Sequence, residues 1–276
     1  MSDLQVRGDV YAADMQKSLR TLAELTKKDV NQLVKDRAPT MARYLASWTM
    51  PVANFGKNAE GIPDGESLAA RNLGQAAVSR DIGRVYMDVR GLMAQLKGKR
   101  ISSESGKGVS ATTLLSKLIK QGDNDRAEKI VRTVPGFAHI EIQNFDDGKR
   151  HKEKRSQGRV HKSTKPVVIA DSPKLREYIK KKREQVGFTK SAWITAGRMA
   201  GGKNGLRAKW ITKHNAPAHG AFKMIGAIGE AVLSSRVPWI DKKLNETGAM
   251  EAFDRSFRKE IDTATRKILE REQRKK

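Results

Sequence analysis

The chain has 276 residues, 55 of them lysine or arginine against 31 aspartate or glutamate, for a formal net charge of +24. It contains no cysteine, which excludes a disulfide scaffold, a thiol nucleophile and a thiolate metal centre. No apolar run approaches the roughly 18 residues that span a bilayer, and residues 1–10, with Asp3 and Asp9, lack the apolar core of a signal peptide.

Apolar residues are sparse but periodic, which points to a folded chain with a heavily charged surface. Val10, Leu19, Leu22, Val30, Leu33 and Val34 recur at helical spacing over about 10–36. Pro39 suits the first turn of a continuing or new helix, on which Met41, Leu45 and Trp48 share a face until Pro51. Residues 54–66 read as a loop rich in Asn, Gly and Pro. A second long helix is expected to end at Leu96, because Val78, Ile82, Val85, Val89, Leu92 and Leu96 step by three and four. A Ser/Gly-rich breaker covers 98–108. Two short helices follow, one with Leu114, Leu115 and Leu118, the other capped by Asp123 and carrying Ala127, Ile130 and Val131.

The composition then changes. Ala138, Ile140 and Ile142 alternate as in a strand. Residues 146–165 hold almost no large apolar side chain and read as a mobile basic arm or long hairpin. Residues 166–170 form a buried-type strand, and Ser172-Pro173 opens a helix ended by Gly187. A further helix from Thr189 places Trp193, Ala196 and Ala200 on one side, with Trp193 expected as a core residue rather than the alternative, a surface anchor for a partner. Two strands follow, one with Phe222 and Met224 and the other with Leu233, closed by Pro238. The last helix, 250–271, carries Phe253, Phe257, Ile261 and Ile268 on one stripe. The expected fold is α+β: long amphipathic helices packed on a small antiparallel sheet, with a basic extended arm. The expected halves are a helical 1–135 and an α+β 136–276 that carries the arm 146–165 and the C-terminal helix, together forming one interdependent unit.

The positive charge is densest in 149–155, 180–183 and 271–276, with no interleaved aromatics to stack on bases. Any nucleic-acid contact is therefore expected at the backbone, without sequence reading. Arm residues Lys149, Arg150, Lys152, Lys154, Arg155, Arg159 and Lys162, and tail residues Arg274 and Lys275, are the candidates for docking to acidic neighbours or DNA.

No catalytic pattern stands out. Residues 103–108 superficially suggest a phosphate loop but lack its first glycine and the hydroxyl residue after the lysine. His139, His151, His161, His214 and His219 have no acidic ligands at metal spacing and read as surface or turn histidines. Asp146-Asp147 reads as a local charge offset rather than an acid–base pair. No cofactor, no metal and no enzymatic activity are expected. Trp210 and Trp239 lie near turns, where tryptophan serves as an interface residue.

The segment VGFTKSAWITAGRMAGGKNGLRAKWI (186–211), with APTMARYLASWTMP (38–51) and the pairing of strands 220–238 with the last helix, resembles the neck and tail-completion (minor tail) structural proteins of tailed bacteriophages. These have a long N-terminal helix, a small antiparallel sheet and a C-terminal helix. The resemblance implies a non-enzymatic virion protein in a head–tail connector, neck or tail-completion ring of 6 or 12 copies. It also implies assembly in a bacterial cytoplasm against portal, adaptor or tail proteins, with no membrane partner. The chain is about twice as long as the compact family pattern, with 68–135 and 146–165 as additions. The sheet edge bearing Phe222, Met224 and Leu233, with Trp239, is the candidate subunit interface. The alternative function is sequence-nonspecific nucleic-acid binding.

Overall fold

The computed structural model describes residues 4–5, 17, 20–25, 30–53, 64–101, 108–158, 160, 165–201, 208–214, 220–225, 230–235, 237 and 244–274. In chain order they form β1 (Leu4–Gln5), α1 (Val30–Trp48), α2 (Leu68–Gly83), β2 (Tyr86–Asp88), α3 (Val89–Gln95) and β3 (Arg100–Ile101). Next come β4 (Val109–Ser110), α4 (Ala111–Gln121), α5 (Asn124–Arg132), β5 (Ile142–Gln143), α6 (Lys149–Ser156) and β6 (Val167–Ile169). The chain continues with α7 (Ser172–Glu184), α8 (Phe188–Met199), α9 (Lys209–Thr212), β7 (Gly220–Ile225), β8 (Glu230–Ser235) and α10 (Glu246–Gln273). The class is mixed α+β and helix-rich.

The chain divides into two compact units, 1–74 with 185–276, and 75–184. A boundary at 135 is therefore incorrect: it would cut one core in two, since Leu115 and Val131 pack with Ile142 and Val168. It would also separate Leu45 from Trp193, which share the other core.

In the first unit, Leu33, Val34, Ala38, Ala42, Leu45 and Ala46 put a buried stripe along α1, and Pro39 lies inside that helix. α8 answers with Ala192, Trp193, Ala196 and Gly197. The small residues let the two backbones approach: a β-carbon on Gly197 would lie 3.0 Å from that of Ala42. α10 packs on α1 through Phe253 at the edge of the Tyr44 ring and an Arg37–Glu260 ion pair. Phe257, Leu22 and Leu33 form a satellite cluster. β8 runs between β1 and β7, antiparallel to both, with Phe222 opposite Leu233.

The second unit holds a three-stranded parallel sheet of order β2-β6-β5. Central β6 is buried along its whole length, as expected of a parallel strand covered on both faces. The helical stripe expected from Val78 to Leu96 is broken here. α2 ends at Gly83, β2 pairs with β6, and Asp88 caps a new helix by accepting from Arg90 N (2.8 Å). Ile82, Val85, Val89, Leu92 and Leu96 are all buried, so a helix–strand–helix path satisfies the same apolar spacing. Asp88 also accepts from the Ser172 hydroxyl (2.5 Å), tying the first turn of α3 to that of α7. Asp123 caps α5 through Arg126 N (3.1 Å), as its sequence position suggests.

The extended arm is the second correction. Within 146–165, residues 149–156 are helical (α6), Val160 is buried, and Arg159 and residues 161–164 fall outside the described residues. No helix among the described residues is long and apolar enough to cross a membrane.

Candidate functional site

α6 has no buried residue of its own, so amphipathic burial cannot hold it. A clasp of polar and aromatic groups does so instead. The chain reaches α6 through two successive left-handed residues, Asp147 (φ 56°) and Gly148 (φ 79°). The turn brings the Asp146 carboxylate back over the helix start, where it accepts from Gly148 N and Arg150 N, both at 3.0 Å. Burial opposes ionisation of Asp146, but the Tyr86 hydroxyl and these backbone N–H groups outweigh it and hold the carboxyl below its ordinary value. Asp146 therefore caps a helix, a more specific role than offsetting charge.

Tyr86, from β2, donates to Asp146 Oδ1 (2.6 Å) and accepts from the backbone N–H of His151 (3.1 Å). Burial, then the bond to Asp146, pushes its phenol well up. The ring of Phe145 packs edge-on to Tyr86 at 5.5 Å and lies 5.3 Å from Tyr178. Gly148 fits tightly under Tyr178: an added β-carbon would meet the ring at 2.5 Å.

His151 joins three helices. Its Nδ1 is 2.9 Å from the Tyr178 hydroxyl on α7. Its Nε2 is 3.7 Å from Asp81 on α2, and Arg155 reaches the same carboxylate oxygen at 3.2 Å. Burial lowers the proton affinity of His151, the nearby cations Arg155 and Lys182 lower it further, and Asp81 opposes them. His151 is thus a packed strut, not the solvated loop histidine expected. Tyr178 is shifted up by burial and by the charge of Asp146. Lys182 stands 5.6 Å over its ring, a cation–π distance.

Lys149, Lys152 and Arg155 are exposed and Lys154 half-exposed on α6, while Arg150 turns to Glu141 at 3.5 Å. Arg159 and Lys162 lie outside the described residues. Arg274 is exposed beyond the end of α10, in the other unit, and Lys275 is not among the described residues. The structure therefore groups the α6 residues within one unit. It adds the α7 run 180–183, which touches α6 through Tyr178 and which the sequence shows only as a separate cluster.

The interface candidates divide. Among the described residues β7 is one of the two edge strands, and Phe222 and Met224 on it are half-buried. Leu233 is on the central strand and packs in the core. Trp239 lies outside the described residues. Trp210 is 6% exposed, packs in the same core and donates to Glu66 O (2.9 Å), so it too is a core residue. His214 is half-buried, with Nε2 2.9 Å from Val186 O. His139 is exposed, and His161 and His219 are outside the described residues.

One group escaped the sequence reading altogether. Lys190, on α8, is fully buried and donates to Ala46 O (2.8 Å) at the C-terminal turn of α1. Burial pushes its amine down to about 7, with Glu66 and Asp64 partly opposing. Beside it Trp193 Nε1 donates to Thr49 Oγ1 (3.1 Å), which donates to Leu45 O (2.7 Å). The signal was a lysine one turn before a core tryptophan, on the same helix face. No group of three His, Asp or Glu side chains suited to a metal occurs among the described residues.

No protein-family model matches the chain, and neither the curated proteins nor the solved structures include a significant match to it.

Proposed function

We propose that the chain is a structural protein of a tailed-phage particle, part of a head–tail connector, neck or tail-completion ring. The observation that carries the reading is the framework left when 75–184 is set aside: a long helix α1, an antiparallel sheet of β7 and β8 with β1, and a long C-terminal helix α10. That is the plan implied by the resemblance of 38–51 and 186–211, and the extra length is gathered into one inserted unit. In this reading the β7 edge, with Phe222 and Met224, pairs with the next copy in the ring, and portal, adaptor or tail proteins are the neighbours. Repetition around a closed axis multiplies one modest contact into a stable assembly.

Native mass spectrometry of the purified protein, with quantitative mass spectrometry of purified virions, tests this. The expected result is a closed oligomer and a copy number that is a multiple of six. A chain that stays monomeric at every concentration and is absent from purified particles overturns it.

A further inference from the structure

The two densest internal basic runs, 149–155 and 180–183, lie on helices that touch. Gly148 packs beneath the Tyr178 ring, and the His151 and Tyr178 rings meet edge-on at 5.9 Å. Arg155 from one run shares the Asp81 carboxylate with His151, and Lys182 from the other lies over the Tyr178 ring whose hydroxyl meets His151, so the runs converge on one point of one unit. α6 and α7 together carry eleven lysines and arginines against three acids, Glu153, Glu177 and Glu184.

Two neighbouring acids are engaged inward: Asp81 faces Arg155 and His151, and Asp146 caps α6. Glu141 pairs with Arg150 at the surface, and Asp147 is exposed beside the start of α6. Lys149 and Lys152 on α6, and Lys180 and Lys181 on α7, are left exposed; Lys181 shares Glu177 at 2.9 Å in a solvent-exposed pair, a contact worth little in water.

The surface chemistry separates the polyanions. A protein partner would call for apolar or aromatic anchors, yet the exposed large hydrophobics among the described residues, Met50, Leu68, Leu73, Val109 and Met199, all lie off these two helices. Single-stranded nucleic acid needs aromatic faces for its bases. The one aromatic ring on these two helices besides His151 is Tyr178, half-buried beneath Lys182, with its hydroxyl against His151. Lysines on two rigid helices suit a regular array of phosphates.

We propose that the joined outer surface of α6 and α7 is a backbone-contact site for double-stranded nucleic acid, gripped through Lys149, Lys152, Lys180 and Lys181 without sequence reading. The site does not depend on the virion assignment, because it is built within the inserted unit alone.

Fluorescence anisotropy of the full chain with a labelled DNA duplex, across a salt series, tests the site. The fourfold variant Lys149→Gln, Lys152→Gln, Lys180→Gln, Lys181→Gln should flatten the slope of log K against log salt by about 0.9 for each phosphate no longer neutralised, roughly 3 to 4 in all. A matched variant on α10, Arg255→Gln, Lys259→Gln, Arg266→Gln, Lys267→Gln, should keep the wild-type slope. Circular dichroism confirms that both fold, and the single reversals Lys152→Glu and Lys259→Glu repeat the comparison with minimal disturbance. An unchanged slope in the first variant, an equal flattening in both, or no duplex binding at the lowest salt overturns the site. Those outcomes leave the virion reading to be judged by copy number alone.

Discussion

The Lys190 amine donates to the carbonyl of Ala46 at 2.8 Å, so a fully buried lysine of α8 closes the C-terminal turn of α1. Helix C-terminal carbonyls attract positive charge and lack partners within their own helix, yet burial pushes the amine down to about 7. The protonated form is favoured in the unfolded chain and disfavoured in the fold. Between about pH 7 and the ordinary lysine value of 10.5 the unfolded chain holds the extra proton, and stability rises with pH. Below about 7 both states are protonated and the dependence vanishes. Urea denaturation at pH 7, 8 and 9 should show wild type gaining on Lys190→Met by roughly 1 kcal/mol per pH unit. Parallel curves for the two proteins would rule out the assignment.

His151 behaves as a second pH-sensitive group, with the window on the acid side. Its proton affinity is lowered in the fold by burial, Arg155 and Lys182, against the pull of Asp81. The contribution of neutral His151 is present above the ordinary value of 6.5 and is lost as pH falls through it toward the lowered folded value. Proton NMR of the imidazole should give a midpoint below that of a free histidine. Hydrogen exchange in α6, corrected for the intrinsic rate, should show weaker protection at acid pH in wild type and a flatter response in His151→Gln.

Gly148 meets two separate demands, a positive φ and contact with the Tyr178 ring. Gly148→Ala adds a left-handed alanine, at about 1–2 kcal/mol, and a β-carbon with no room. The expected result is a fall in the melting temperature and weaker α6 protection in hydrogen exchange. Gly122, also left-handed but with open space around it, supplies the comparison: Gly122→Ala should incur the backbone term alone.

Gly220 opens β7 where the strand runs against α8. A β-carbon there would overlap the carbonyl oxygen of Ala192 and come within 3.1 Å of Ala196 N. Since the obstacles are backbone atoms, neither can swing aside. Gly220→Ala should destabilise the first unit by about 1–3 kcal/mol, read as a lower urea midpoint, and should leave duplex binding at the α6–α7 surface unchanged.

Local signals in the sequence were legible where one residue type has one mechanical use. Asp123 marked the start of α5, Ser172-Pro173 that of α7, and the continuous apolar run around Val168 a buried strand. The stripe from Val78 to Leu96 misled because helix and buried strand both hide their apolar residues, and three residues of β2 fit between two helices without disturbing the spacing. α6 was invisible for the opposite reason. It buries nothing, and beyond the Asp146 cap what orders it comes from Tyr86, Asp81 and Tyr178, far away in sequence. The same distance hid the site, since 149–155 and 180–183 become neighbours through the contacts that Gly148 and His151 make with Tyr178.

The second unit leaves and rejoins the chain at nearly one place. The side chains of Gln75 and Arg183 meet at 3.4 Å, and within the first unit a β-carbon on Gly74 would lie 2.8 Å from Val186. Gene-level loss or acquisition of this block would ask the remaining ends to bridge almost no gap, and the closure entropy of so short a junction is small. Twenty-six cations and thirteen acids would travel with it, more than half of the chain's +24. Just over half of the net charge is thus gathered in one block whose two ends lie side by side, separable in principle from the framework of α1, α8 and α10.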